Sequence, residues 1–84
     1  MRSKEEIEKK YSELVNLLDR KYSSLELEKN NLRKNEILTS LFSLYTTIEE
    51  ILVLAWVLEY TSKDITTKRE DVLELIKMTI RKHI

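Results

Sequence analysis

The stretch from Ile37 to Tyr60 carries the strongest hydrophobic pattern in the chain. Apolar residues recur there at intervals of three and four, which is the spacing of one helix face. This first row consists of Ile37, Leu41, Leu44, Ile48, Ile51, Ala55 and Leu58. A second row beside it consists of Leu38, Phe42, Tyr45, Leu52, Trp56 and Tyr60. Two adjacent rows predict a central helix that packs against two partners.

The remaining side of this helix changes character along its length. Its first half carries a row of hydroxyl residues, namely Thr39, Ser40, Ser43, Thr46 and Thr47. Its second half carries Val53, Leu54 and Val57 instead. We therefore expect the first half of the helix to have a solvent-exposed side and the second half to be enclosed by other helices. The hydroxyl row has two interpretations, a solvent-facing surface or a close contact with another helix.

A narrow apolar seam precedes the central helix and predicts a first helix packed on one partner. Its positions are Ile7, Tyr11, Leu14, Leu18, Leu25 and Leu32. Ser3 and Glu6 form a capping box, which predicts a helix start at Lys4. The step of five from Leu32 to Ile37 breaks the helical phase, so we place a turn at Asn30 to Asn35. The alternatives are a stop near Tyr22 to Ser24, or one rod from Lys4 to Thr61.

The segment from Thr61 to Thr66 has the composition of a loop, and a third helix follows it. Thr67 and Glu70 match another capping box and predict that this helix starts near Thr67. Val72, Leu73, Ile76 and Ile80 would form its apolar face.

These elements predict an all-α fold, an antiparallel helical hairpin plus a shorter third helix, in one domain over residues 1–84. The helices are expected at about 4–30, 36–61 and 67–82. A third helix of that length would cover only Ile51 to Tyr60 of the central helix. The second row would then stay open near the hairpin tip, so we expect a homodimer that forms a helical bundle there. The predicted interface is Leu38, Phe42, Tyr45, Glu49, Leu52 and Trp56. Within this set, Glu49 is an acid in an apolar row and requires a partner, either a tyrosine hydroxyl or a basic residue.

Composition narrows the class of protein. Fifteen Lys and Arg balance fifteen Asp and Glu, so no net charge attracts nucleic acid or an anionic membrane. The absence of Gly and Pro disfavours strands and Gly-rich nucleotide sites.

The apolar run from Ile51 to Leu58 is much shorter than the roughly 20 residues of a membrane span, and two acids precede it. A start without an apolar signal core predicts a cytoplasmic protein, and heavy Lys and Glu use without Cys or Gln suggests a thermophilic source.

Catalytic chemistry has little support in this sequence. The single histidine, His83, has no Cys or acidic residue at helical spacing, and no Glu-x-x-His pair occurs. We therefore expect no enzyme activity, no metal and no cofactor.

Two functional hypotheses follow. The first is a small helical interaction or adaptor protein that acts as a homodimer and binds another protein, with no membrane partner. The second is a nucleic-acid-binding regulator that uses the basic, Asn-rich segment at residues 29–35, with contacts from Lys29, Asn31, Arg33 and Lys34. A salt-dependent gel shift separates the two hypotheses.

Overall fold

The computed structural model describes residues 3–61 and 63–82. They form three α-helices, α1 (Lys4–Glu28), α2 (Lys34–Leu58) and α3 (Lys63–Lys82), with a short 3-10 turn at Lys29–Asn31. The all-α hairpin with a shorter third helix is confirmed, because α1 and α2 have 25 residues each and α3 has 20. The described residues contain no strand.

The start of α1 follows its capping signal. Ser3 is the N-cap, and its hydroxyl accepts a hydrogen bond of 3.2 Å from the backbone N–H of Glu6. Glu5 and Glu6 lie in the first turn, where negative charge favours the positive end of the helix dipole. The predicted helix start at Lys4 is therefore correct.

The first turn lies at Lys29 to Arg33, slightly earlier than the segment predicted from the phase break. The chain passes through the 3-10 turn and then two extended residues, Leu32 (φ −96°, ψ 146°) and Arg33 (φ −77°, ψ 160°), before α2 begins at Lys34. Two extended residues are enough to reverse the chain without a left-handed Asn. The uninterrupted rod is therefore wrong, and so is a stop at Tyr22 to Ser24, which lies inside α1.

The second connection is much shorter than predicted. Glu59 adopts a left-handed conformation (φ 59°, ψ 33°), and the N–H of Tyr60 bonds to the carbonyl of Ala55 at 2.9 Å. This C-cap ends α2 at Leu58 and redirects the chain at once. α3 therefore begins at Lys63, four residues before the predicted start.

The predicted capping box at Thr67 is wrong for the same reason. Thr67 lies inside α3, and its hydroxyl donates to the carbonyl of Lys63 at 3.1 Å. A capping hydroxyl would instead accept a bond from a backbone N–H later in the chain.

The three helices pack as an up-down-up bundle of 46 × 19 × 19 Å, with α2 antiparallel to the other two. The core comprises Leu14, Leu18 and Leu25 of α1, Leu41, Leu44, Ile48, Ile51, Ala55 and Leu58 of α2, and Ile65, Val72 and Ile76 of α3. The first apolar row of α2 is therefore the centre of the bundle, as its spacing predicts; only Ile37, at the end of the row, is half-buried.

α3 reaches the hairpin tip, which corrects the expectation that it covers only Ile51 to Tyr60. With 20 residues it is roughly 30 Å long. Near its end, Leu75 and Lys82 line a surface depression together with Ile37 and Leu41 of α2. Nearer its start, Lys68 pairs with Asp19 of α1 at 3.4 Å. The tip of the hairpin is thus covered within one chain.

A pair of alanine substitutions tests the two helix starts. We expect Ser3→Ala to lower the free energy of unfolding by about 1 kcal/mol, because it removes an N-cap. Thr67→Ala should change it by less than about 0.5 kcal/mol, and toward higher stability, because alanine is a better residue inside a helix. Chemical denaturation measures both. A loss at Thr67 as large as that at Ser3 would mean that α3 starts where the capping box predicts.

Candidate interaction surface on α2

The predicted interface residues of the second row have different surroundings in the bundle. Leu38, Tyr45 and Leu52 are half-buried and pack against the core. Phe42 and Trp56 point outward, and their exposed fractions are 52% and 80%. The row is therefore not one continuous open surface, because the side that carries Leu38, Tyr45 and Leu52 lies against the bundle.

Glu49 has the basic partner that one interpretation of the sequence requires. Its carboxylate lies 3.4 Å from the guanidinium of Arg69 on α3, and both side chains are partly exposed. Such a half-exposed pair contributes at most about 1 kcal/mol. Glu49 is therefore a link between α2 and α3 and not a deeply buried acid.

The exposed apolar residues of α2 form a surface that we call the outer face. It comprises Phe42, Val53, Trp56, Val57 and Tyr60. Phe42, Val53, Trp56 and Val57 lie on the side of α2 that points away from both α1 and α3, whereas Tyr60 follows the end of α2 and contacts α1. The expectation that the second half of α2 is enclosed is therefore wrong for a single chain. Two neighbouring helices cover two sides of α2, and the third side stays open whatever its composition.

Trp56 dominates the outer face, and Tyr60 closes one end of it. The ring of Tyr60 packs edge-to-face on Tyr11 of α1, with ring centroids 5.2 Å apart at 83°. This contact holds the residues after the α2 C-cap against α1. Val53, Trp56, Val57 and Tyr60 are neighbours and form one apolar patch on the order of 400 Å², within the range for the largest patch of a monomer, where such patches are often functional. Exposed Thr46 and Glu50 separate Phe42 from them.

The hydroxyl row of α2 divides between the two interpretations drawn from the sequence. Ser43 and Thr47 face α1, where both hydroxyls accept hydrogen bonds from the ammonium of Lys21, at 2.8 and 2.9 Å. Thr39 and Thr46 are exposed and donate to backbone carbonyls one turn earlier in the helix. Close helix contact thus explains the first pair, and a solvent-facing surface explains the second.

The basic segment proposed for nucleic acid lies at the hairpin tip. Lys29 pairs with Glu26 at 3.1 Å, which offsets its charge. Asn31 and Arg33 are exposed, and Lys34 is half-buried at the start of α2. The segment therefore offers two cations without an ion-pair partner among the described residues, and the nucleic-acid hypothesis stays a prediction.

Tyr22 marks the contact between α1 and α3. It lines a groove together with Asp19, Leu27, Lys68 and Asp71. Partial burial, followed by the carboxylates of Asp71 and then Glu26, raises the pKa of Tyr22 above its usual value near 10. The raised pKa follows from a side-by-side arrangement of α1 and α3 that the sequence does not reveal.

Neither a metal site nor a decisive membrane signal emerges from the described residues. They contain no group of three or more His, Cys, Asp or Glu residues placed to hold a metal, and His83 lies outside them. α2 is long and apolar enough to cross a membrane, with a mean hydropathy of 1.6 over 18 residues. The core helix of a water-soluble protein passes the same test. The length of α2 therefore does not exclude a membrane span, contrary to the expectation from the short apolar run.

Comparison with known proteins adds no assignment. No protein-family model matches this chain, and neither does any curated protein or solved structure. The function must therefore be inferred from the geometry of the bundle.

The pKa of Tyr22 tests the predicted contact between α1 and α3. Asp71→Asn should lower this pKa toward its usual value, because a neighbouring negative charge that disfavours the phenolate is removed. Ring chemical shifts followed by NMR above pH 9 measure the pKa, and Glu70→Gln, at an exposed position on the same helix, is the control. Equal pKa values in wild type and Asp71→Asn would contradict the placement of α3 beside Tyr22.

The same pKa shift predicts how stability depends on pH. Because the folded pKa of Tyr22 lies above the unfolded value near 10, the folded state retains a proton that the unfolded state loses. The stabilisation is complete below that unfolded value and is lost as pH rises through the folded pKa. Denaturation at a series of pH values should show this loss in wild type and less of it in Asp71→Asn.

Proposed function

We propose that the protein is a small, non-enzymatic helical interaction module that forms a homodimer through the outer face of α2. The observation that carries this proposal is the 80% exposure of Trp56 among other apolar residues on one helix face. Tryptophan is the residue most enriched in the energetic centres of protein interfaces. Exposing it to water in an isolated chain forfeits a large amount of apolar burial.

The surface of the chain is large enough for an interface of standard size with a partner. A compact monomer of 10.1 kDa has an accessible surface of about 5,300 Å², whereas this chain has 6394 Å². An elongated bundle of 46 × 19 × 19 Å has more surface than a compact body of equal mass, and a standard interface would cover roughly 800 Å² of each partner. The outer face would supply the apolar centre of that interface, and polar residues beside it would supply the rim.

The arrangement of charges favours two α2 helices that cross near their C-terminal halves. Glu50 lies one turn before Val53, on the same side of α2. A parallel side-by-side alignment would bring the Glu50 carboxylates of the two copies together, and like charges repel at short range. A crossing of about 50° centred between Val53 and Val57 keeps these carboxylates in water. A two-fold axis there lets the same residues contact each other in both copies.

This location revises the interface predicted from the sequence. Trp56 remains near the centre of the contact, whereas Phe42 lies on the same face but roughly 20 Å along α2 from the crossing point, outside the contact. Leu38, Tyr45 and Leu52 belong to the packing within one chain, and Glu49 belongs to its pair with Arg69. The dimer would leave α1 and α3 of both copies facing outward, where they can bind another protein. That geometry is the basis for proposing an adaptor role.

Two charge substitutions at equally exposed positions test the interface. Trp56→Glu should weaken the dimer by at least about 2 kcal/mol, or roughly 30-fold in Kd, because it removes the central aromatic residue and introduces repulsion. Leu27→Glu is the matched control, since Leu27 is 83% exposed but lies on α1. It should leave the dimer intact. Light scattering and sedimentation across a concentration series measure the association, and denaturation confirms that both variants fold.

Three outcomes would contradict the proposed dimer. One is a wild-type protein that stays monomeric at high concentration, and a second is equal weakening by Leu27→Glu and Trp56→Glu. The third is a monomer whose Trp56 fluorescence shifts to shorter wavelength with phosphatidylcholine vesicles. That shift would assign the outer face to a lipid surface.

A further inference from the structure

Lys21 presents an ammonium group without a counter-charge in the groove between α1 and α2. Its two hydrogen-bond acceptors are neutral hydroxyls, those of Ser43 and Thr47, at 2.8 and 2.9 Å. No carboxylate of the described residues forms an ion pair with it within 4.0 Å. Lys21 is half-buried, and a cation that is partly removed from water costs free energy unless an anion offsets the charge.

The position of this ammonium is fixed by the helix beneath it. Thr47 is only 4% exposed, and its hydroxyl proton is donated to the carbonyl of Ser43 at 3.0 Å. The oxygen of Thr47 is therefore oriented to accept from Lys21. Two of the three ammonium N–H groups are occupied in this way, and the third remains available for a ligand.

The walls of the groove add further donors around Lys21. Arg20 lies beside Lys21 on α1, is exposed, and has no ion pair within the described part of the chain. The groove is also lined by the hydroxyl residues Ser24, Ser40 and Ser43, by Thr39, whose hydroxyl already donates to the carbonyl of Asn35, and by one acid, Glu28. Apolar residues from both helices complete the lining, namely Leu17, Leu25 and Leu32. Two cations and several hydroxyl groups thus converge on one cleft with a single opposing charge.

We infer that this groove binds a phosphate monoester. Donors from two helices suit a group with three terminal oxygens better than a planar carboxylate, which has two. Arg20 can bind two oxygens with its guanidinium while Lys21 supplies a point charge below them. A nucleic-acid backbone is less suited, because it requires a longer track of cations than the two residues here. Free phosphate and a phosphorylated side chain of a partner share the required chemistry.

This site is independent of the proposed dimer, because its charged residues lie on α1 and the outer face lies on another side of α2. The Trp56→Glu variant should therefore keep phosphate binding even when it is monomeric. Loss of dimerisation and loss of anion binding can then be observed separately.

Amide chemical shifts measured by NMR provide the test. Titration with sodium phosphate, at fixed pH and at an ionic strength held constant with sodium chloride, should give saturable shifts at Ser24, Ser40 and Ser43. Phosphoserine should give the same pattern, and serine should not. Lys21→Met keeps the aliphatic chain but removes the charge, and should weaken binding at least about tenfold. Lys10→Met, at an exposed position of α1, should bind as wild type.

A second variant keeps the test valid if Lys21→Met disturbs the fold. Arg20 is exposed, so Arg20→Gln should leave the spectrum of the free protein unchanged elsewhere. It should also weaken phosphate binding severalfold. Shifts that follow ionic strength alone, or that are the same in Arg20→Gln and wild type, would overturn the inferred site. Saturable binding of a short oligothymidylate that is tighter than that of phosphoserine would assign the groove to a nucleic-acid backbone instead.

Discussion

The structure depends on burial of one row of α2 between two other helices. Leu41, Leu44, Ile48 and Ile51 expose at most 1% of their surface. Burial this complete requires both α1 and α3, because neither helix alone covers the row. Truncating one such residue costs about 2–5 kcal/mol, a large part of the stability of a domain this small. The capped start of α1 and the abrupt end of α2 serve this packing, because they place α1 and α3 on adjacent sides of that row.

The same packing decides what α2 presents to the outside. Two neighbours that meet over one row leave roughly a third of the helix uncovered, and the residues there have no apolar partner in the chain. In the first half of α2 the uncovered side includes Thr39 and Thr46, whose hydroxyls bond to backbone carbonyls, and one apolar residue, Phe42. In the second half it includes Val53, Trp56 and Val57. A change from polar to apolar along one open side is difficult to explain by the stability of a lone chain.

Local signals in the sequence predict the parts of this fold that depend on local chemistry. Ser3 caps α1 because its hydroxyl reaches an N–H three residues later, and the spacing from Leu41 to Leu58 identifies the buried row. Thr67 carries the same local pattern as Ser3 but lies inside α3, because Glu59 ends α2 with a left-handed residue and brings the start of α3 forward. Left-handed glutamate has no sequence signal, since glycine is the residue expected at such a C-cap. The longer α3 that results is what covers the hairpin tip.

The functional surfaces require knowledge of how the helices align, which periodicity does not supply. The second row of α2 forms one stripe in the sequence, yet its orientation to α3 leaves Leu52 half-buried and Trp56 exposed, although Trp56 lies only four residues further on. In the sequence, Lys21 has the pattern of an ordinary surface lysine of α1. In the fold, α2 places two hydroxyls beneath its ammonium group. In both cases a side chain gains its character from a neighbouring helix. A zero net charge conceals this too, because the acids that balance Arg20 and Lys21 lie elsewhere on the bundle, and only Glu28 lines the α1–α2 groove. Balanced composition therefore permits a site of one sign, provided that the opposite charges are engaged elsewhere in the bundle.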